Sequence, residues 1–336
     1  MAKEEKEIKK EEPKKPLTWK ENIIAQVKEF VIVFSGFILL NNFIIASFLV
    51  PTGSMENEVL TGDFLMVNKF IFGASTPRNI MFTDIRLPWT TLPGVRDVKR
   101  GDVIVFEFPG MRDEVKPEAF TFYLKRCMAV SGDTLQIRNR VVYINGQAAP
   151  VPKNMKFDNL RIIPPSYQDD RSFPPTALFN EDNYGPLVVP KKGMAMKIIP
   201  ENFRMWETFI KRDGHAPELR SDGTVAIDGK VTDTYVVEKD YVFGMGDHRD
   251  NSLDSRFWGF IPRENIVGTP MFVYFSVTLT DEFREQLAMR GETMRMEWIY
   301  TTFSGHNMIL DIVTKLVVTL FNPETIRFGR IGTLIS

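Results

Sequence analysis

From Phe30 to Val50 about 21 residues pass without a charged side chain, and no other stretch restricts the fold of this chain so tightly. A run of that length suits a helix crossing a hydrocarbon core of ~30 Å. Ser35, Gly36, Asn41, Asn42 and Ser47 interrupt it but add no charge. A cleavable export signal is one competing reading, yet its apolar core is usually about 7–15 residues and ends at a small-x-small site. This run is longer and rich in Phe and Ile, and a buried soluble helix fits it less well still. Residues 23–50 are therefore read as a retained transmembrane anchor. Residues 1–22, dense in Lys and Glu with Pro13 and Pro16, are read as a solvated tail. Lysines crowd that side, which puts the tail in the cytoplasm and everything after Val50 outside.

Charge narrows the function. Lys+Arg 42 against Asp+Glu 43 leaves a formal net charge of -1, which offers nothing to nucleic acid. A hydrophobic content of 43% is ordinary for a globular chain and does not indicate a polytopic one. Cys127 is the only cysteine, so neither an intramolecular disulfide nor a cysteine-based zinc cluster can form.

Beyond Val50 the texture changes to short β-type runs between turn residues. Val59–Val67 (broken at Gly62-Asp63), Val103–Phe108, Phe122–Val130, Thr134–Ile137 and Val141–Ile144 read as strands of a β domain over residues 51–145. Residues 146–235 are punctured by Pro164-Pro165, Pro174-Pro175, Pro186 and Pro190. They read as an inserted β-rich subdomain with a strand near Met194–Ile199 and a hairpin turning at Asp228-Gly229. The β domain resumes over 236–280 through Tyr235–Phe243 and Ile266–Phe275. Residues 281–336 read as a helical extension (Asp281–Met296, Met308–Phe321), in which Asp311 and Lys315 favour a packed or amphipathic helix over a second span. The fold class expected is mainly β behind an N-terminal transmembrane helix.

Ser54, in Pro51-Thr52-Gly53-Ser54-Met55, falls within four residues of the end of the apolar run. A serine hydroxyl attacks carbonyls only when a base takes its proton, and three bases compete. His248, in Gly246-Asp247-His248-Arg249-Asp250-Asn251-Ser252, invites a Ser-His-Asp reading, although adjacent side chains on an extended segment point apart. Triads are recognised by geometry, so the possibility stays open here. His215 and His306 lack any partner pattern. Lys125 stands beside Arg126 in the apolar run Phe122–Val130; on a strand the two face opposite ways, and the one sharing a face with Tyr123 and Cys127 points inward. Burial would lower its pKa: at ~10.4 about 0.04% is neutral at pH 7, at ~8 about 10%. A solvent-reaching edge lysine fits the spacing equally well, and no carboxylate base stands out.

Taken together, these blocks resemble the type I signal peptidases, membrane-bound serine peptidases with a Ser/Lys dyad. The nucleophile motif corresponds to Pro51–Met55, followed by Thr61-Gly62-Asp63 and the strand to Phe70. The lysine motif corresponds to Arg100-Gly101-Asp102-Val103 and Tyr123-Leu124-Lys125-Arg126, then Gly132-Asp133. The last motif corresponds to Gly246–Pro262, and Ile326–Gly332 is a fainter echo. The resemblance implies Ser54 as nucleophile and Lys125 as general base, with an oxyanion hole made by the Ser54 N–H and the Thr52 hydroxyl. Ser252 would orient the lysine amine; Asp254 and Arg256 would brace the site, with Asp247 and Arg249 nearby. Phe48, Val50, Pro51, Met55, Tyr123 and Leu124 would shape pockets for small residues one and three positions before the cut.

The resemblance further implies signal-peptide-bearing preproteins as substrates, the lipid bilayer as partner, and no metal, cofactor, nucleic acid or obligate protein partner. The expected location is the cytoplasmic (inner) membrane, single-pass, with the catalytic domain on the periplasmic side. The segment Ile80–Leu92, with Phe82 and Trp89, could rest on lipid. Glu56-Asn57-Glu58 departs from the family, which usually has a proline shortly after the serine. A self-cleaving Ser/Lys repressor-type protease would lack the anchor and carry a DNA-binding region instead; an inactive tethered scaffold would not need Ser54, Lys125, Thr52 and Ser252 together.

Overall fold

A computed structural model describes residues 18–76, 87–278, 280–289, 295 and 308–335. The tail to residue 17, Phe82, His306 and most of 290–307 lie outside these residues. The chain divides into two compact units, Met1–Asn41 and Asn42–Ser336.

Helix α1 (Trp19–Phe43) opens on a capping box. The Thr18 N–H donates to Glu21 Oε2 at 2.8 Å and the Glu21 N–H to Thr18 Oγ1 at 3.4 Å, which satisfies donors that a helix start leaves free. The apolar run does not stay helical to its end. Ile45–Leu49 form strand β1, paired antiparallel with β2 (Asp63–Asn68) so that Phe48 faces Leu65. The expected anchor over 23–50 is thus cut at Phe43, because a continuous apolar run carries no periodicity to separate buried strand from helix. Among the described residues no helix is long and apolar enough to cross a membrane.

The second unit is built on a seven-stranded sheet in the order β1-β2-β16-β3-β4-β14-β15. Its other members are β3 (Val103–Glu107), β4 (Phe122–Val130), β14 (Tyr241–Met245), β15 (Ile261–Pro262) and β16 (Ile266–Ser276). The register shifts between Phe243 and Gly244 on β14, beside β4, and again near Pro270 on β16; a bulge tolerates a proline that cannot donate to the ladder. Residues 59–61, expected as strand, are loop and turn, and pairing begins only at Asp63.

Between β4 and β14 lie β5 (Thr134–Arg138), β6 (Val141–Ile144), β7 (Gln147–Ala148), β8 (Tyr184–Val188), β9 (Ala195–Lys197), β10 (Pro217–Leu219), β11 (Val225–Ile227), β12 (Lys230–Val231) and β13 (Thr234–Val236). The hairpin at Asp228-Gly229 forms as expected, with φ of 51° and 77°, the left-handed pair that a tight two-residue turn needs. Helix α2 (Phe203–Arg212) was not anticipated among the prolines; Phe203, Phe209 and Ile210 bury its apolar face. The insertion is not separately cored. Its Tyr184, Val189, Phe209 and Tyr235 pack in one cluster with Leu135 and Ile137 of β5 and with Ala129, Phe243 and Phe260 of the main sheet and its flank.

A short helix, α3 (Ser255–Trp258), precedes β15, and after β16 come α4 (Thr280–Met289) and α5 (Met308–Phe321). Phe283 and Leu287 of α4 meet Val318 of α5, so α5 is packed. The extension is not helical to its end. Residues 326–335 run antiparallel beside β16, with bridges Val277↔Ile326 and Phe272↔Leu334.

Candidate active site

The nucleophile loop is held shut at its base. The Val50 N–H donates to Asp63 O at 2.9 Å and the Gly62 N–H to Val50 O at 2.8 Å. Within it the Glu56 N–H bonds Gly53 O at 2.9 Å, which turns the chain at Ser54 and leaves that side chain 8% exposed. Buried Asp63 fastens the loop from below. It accepts from the Leu60 N–H (2.9 Å), Ser276 Oγ (2.6 Å) and Arg330 Nη2 (2.6 Å), with Arg327 Nη2 at 3.6 Å. Arg327 also donates to Thr61 O, and Arg330 to Glu58 O at 3.1 Å. The faint C-terminal echo therefore has a physical job: it clamps the loop that carries Ser54.

Lys125 lies mid-way along β4, opposite Ile104 of β3, and is 3% exposed. On its other side is Gly244, where a Cβ would stand 3.1 Å from Lys125 Cβ and 2.9 Å from Ile261, so the missing side chain makes room for the lysine. Lys125 Nζ donates to Ser54 Oγ at 2.6 Å. Burial pulls its amine down from 10.5 to about 8; Arg256 adds to that, while Asp254 and Asp247 oppose it. Desolvation penalises the charged amine, so a useful fraction is a free base near neutrality.

Arg126 faces the other way, as alternation requires, and yet is buried as well. It is met by Asp247 through Nε–Oδ1 (2.9 Å) and Nη2–Oδ2 (2.7 Å). Asp254 caps α3 and binds Arg256 in a two-pronged pair at 2.9 Å on each arm. It also accepts the Gly246 N–H at 3.0 Å. Burial raises the Asp254 carboxyl, but Arg256 and these hydrogen bonds outweigh it and hold it below its usual range. Arg249 is buried against Met128, and burial reinforced by Arg256 lowers it to about 10. Asp247, Arg249, Asp254 and Arg256 are thus brought together in one buried charged cluster. Ser252 departs from expectation. Its Oγ is buried without a hydrogen-bond partner and turned toward Gly246, so the implied bond to the lysine amine is not formed.

His248 does not serve Ser54 Oγ. Its imidazole bonds Asp158 through Nε2 (2.6 Å), and its Nδ1 lies 3.1 Å from Glu56 Oε2. Only its backbone N–H reaches the serine, donating to Ser54 O at 3.1 Å. The triad geometry is absent. His215, bonded to Asp228 and Glu238, lies in the insertion.

Ser54 and Lys125 open onto a cleft of about 330 Å³. All six expected pocket residues, Phe48, Val50, Pro51, Met55, Tyr123 and Leu124, line it, and Thr52 lies exposed on its wall. Leu65, Val105, Phe122, Asn251 and Leu253 were not anticipated. Leu65 and Val105 face Phe48 and Leu124 across the ladders, a proximity that register alone reveals. The lining is predominantly apolar.

A serine hydroxyl bonded to a buried amine, at the head of an apolar cleft, is an arrangement suited to a serine-nucleophile hydrolase. Residues 23–275 match the family model described as signal peptidase, peptidase S26; the chain belongs to that family and is a serine endopeptidase. It is 28% identical over 322 residues to a signal peptidase I of Aquifex aeolicus, covering 91% of this chain and 97% of that one. It is 29% identical to one from Helicobacter pylori (80% and 89% covered) and 30% identical to one from Buchnera aphidicola (74% and 72%). A solved signal peptidase I from Enterococcus faecalis is 18% identical, covers 52% of this chain and 97% of that one, and has a TM-score of 0.25, a likeness too slight to carry a conclusion.

Proposed function

We propose that the enzyme removes N-terminal signal peptides from exported preproteins through a Ser54/Lys125 dyad, cutting after small residues. One observation carries this reading: the buried 2.6 Å bond between Lys125 Nζ and Ser54 Oγ, with the amine lowered to about 8. The neutral amine takes the hydroxyl proton as Ser54 Oγ bonds the scissile carbonyl carbon. The negative oxygen that develops is met by the Ser54 N–H and the Thr52 hydroxyl, donors that matter because charge appears there only in the transition state. Collapse breaks the C–N bond, and Lys125 returns the proton to the leaving amine. Water then attacks the ester, giving its proton to Lys125, which passes it back to Ser54 Oγ as the signal peptide leaves.

The apolar cleft supports the preference for small side chains one and three positions before the cut. For location, we propose the cytoplasmic membrane, with the catalytic unit on the periplasmic side. Ile24, Val27, Phe30, Val31, Ile32 and Val33 of α1 are all more than half exposed, an apolar surface that lipid would cover. Trp89 is partly buried, and its contact with lipid is part of the same proposal. The test is cleavage of a preprotein in detergent by wild type, Ser54→Ala and Lys125→Ala. Both variants are expected to be inactive, and activity surviving in either would overturn the dyad.

A further inference from the structure

Three features are left without a role by the dyad: His248, the unusual Glu56-Asn57-Glu58, and the insertion. The structure brings all three to one place. Segment 154–159 of the insertion lies along the catalytic loop 247–250 as a short parallel ladder. The Lys156 N–H donates to Asp247 O at 2.8 Å and the Arg249 N–H to Lys156 O at 2.9 Å. Asp250 Oδ2 accepts the N–H groups of Asp158 and Asn159, each at 2.8 Å. The same segment reaches the nucleophile loop. Lys156 Nζ pairs with Glu56 at 3.0 Å, and Asn154 Nδ2 donates to buried Glu58.

His248 sits at the crossing of the three strands of chain. It is 2% exposed, bonds Asp158 of the insertion, approaches Glu56 of the nucleophile loop, and donates its own N–H to Ser54 O. A side chain buried at this junction fixes where its backbone N–H points. That N–H in turn fixes the carbonyl of the nucleophile residue, and so the neighbouring peptide planes.

We propose that segment 154–159 and His248 form a positioning clamp for Ser54, so that the insertion contributes to catalysis without touching substrate. This rests on the dyad reading of the preceding section. His248 acts through Ser54 as a positioning residue and exchanges no proton with it. Loosening the clamp lets Ser54 drift relative to Lys125, and displacements under 1 Å at a reacting centre lower rates by about tenfold to about a hundredfold.

The experiment measures kcat and KM for preprotein cleavage by the full chain in detergent, for Asp158→Asn, His248→Ala, His248→Gln, the double variant and Ser54→Ala. The clamp predicts that His248→Ala lowers kcat by about tenfold or more with KM within about twofold. His248→Gln, which keeps a donor for Asp158, recovers part of that loss. Adding Asp158→Asn to His248→Ala lowers kcat no further, since the pair acts as a unit. Should His248→Ala fail to fold, Asp158→Asn decides alone, because exchanging its 52%-exposed carboxylate for an amide of the same shape leaves the core undisturbed. Unchanged kcat in both single variants, with Ser54→Ala dead, overturns the clamp but leaves the dyad standing. His248→Ala as inactive as Ser54→Ala would put His248 in the proton transfer and overturn positioning. Activity in Ser54→Ala would overturn the dyad itself.

Discussion

Removing the lysine at the heart of the site should make the protein more stable while destroying its activity. In the folded chain burial lowers the Lys125 amine from 10.5 to about 8. Above the unfolded value the amine is neutral in both states and nothing is lost. As pH falls from 10.5 to 8 the unfolded chain takes up a proton that the folded chain refuses, so stability declines; below 8 the loss is complete. At about 1.4 kcal/mol for each pH unit, the full penalty is about 3 kcal/mol. Lys125→Met has similar length, fits an apolar surrounding and carries no such penalty, but gives up the bond to Ser54, a loss of about 1 kcal/mol. The variant should be more stable than wild type by about 2 kcal/mol near pH 7, and this advantage should vanish or reverse near pH 10.5. Urea unfolding of the full chain in detergent, followed by tryptophan fluorescence at several pH values, measures it. A variant less stable near neutrality, or a difference that ignores pH, would refute the claim that the folded site keeps this amine from its proton.

The same amine sets the pH dependence of the rate: kcat/KM should climb about tenfold per pH unit on the acid side and level off above about 8. Lys125→Arg should be inactive at every pH tested, because a guanidinium keeps its proton. At Gly246 a Cβ would fall 2.2 Å from Ser252 Oγ and 2.5 Å from both Ser252 Cβ and Ser54 O. Gly246→Ala should therefore lower kcat by about a hundredfold with an unchanged circular dichroism spectrum; near-wild-type turnover would show that the loops can part freely. Asp63→Ala strands Arg327 and Arg330, whose side chains are 26% and 21% exposed. With partial access to water, the expected loss is about 2 kcal/mol, below the 3–5 of a fully buried pair, read as a lowered urea midpoint.

What the sequence made legible follows the reach of local signals. Phe122–Val130 is found at its full length because a mostly apolar run ends at the turn Ser131-Gly132, and Lys125 follows from its motif. Ile45–Leu49 is misread because its pairing partner, Asp63–Asn68, is what makes it a strand, and uninterrupted apolar residues look alike in either state. Helix α2 hides among prolines, although Phe203, Trp206 and Phe209 recur at a helical interval. Alternation turns Arg126 away from Lys125, and it is buried all the same because Asp247, 121 positions away, comes to meet it. Ser252 illustrates the converse: its motif implied a contact that loop geometry does not provide. His248 drew attention as a base, whereas its importance is as a junction, something no spacing along one chain could disclose.

The clamp on Asp63 also bears on when the enzyme comes into being. Arg330 lies 267 positions after Asp63, so during synthesis Ser54 and Lys125 both emerge long before the arginines that secure the nucleophile loop. Until residues 327–330 are added, buried Asp63 has neither guanidinium to meet it. In a growing chain Ser54 and Lys125 are therefore present before the loop that carries Ser54 can be fastened, and assembly of the site waits on residues far along the sequence.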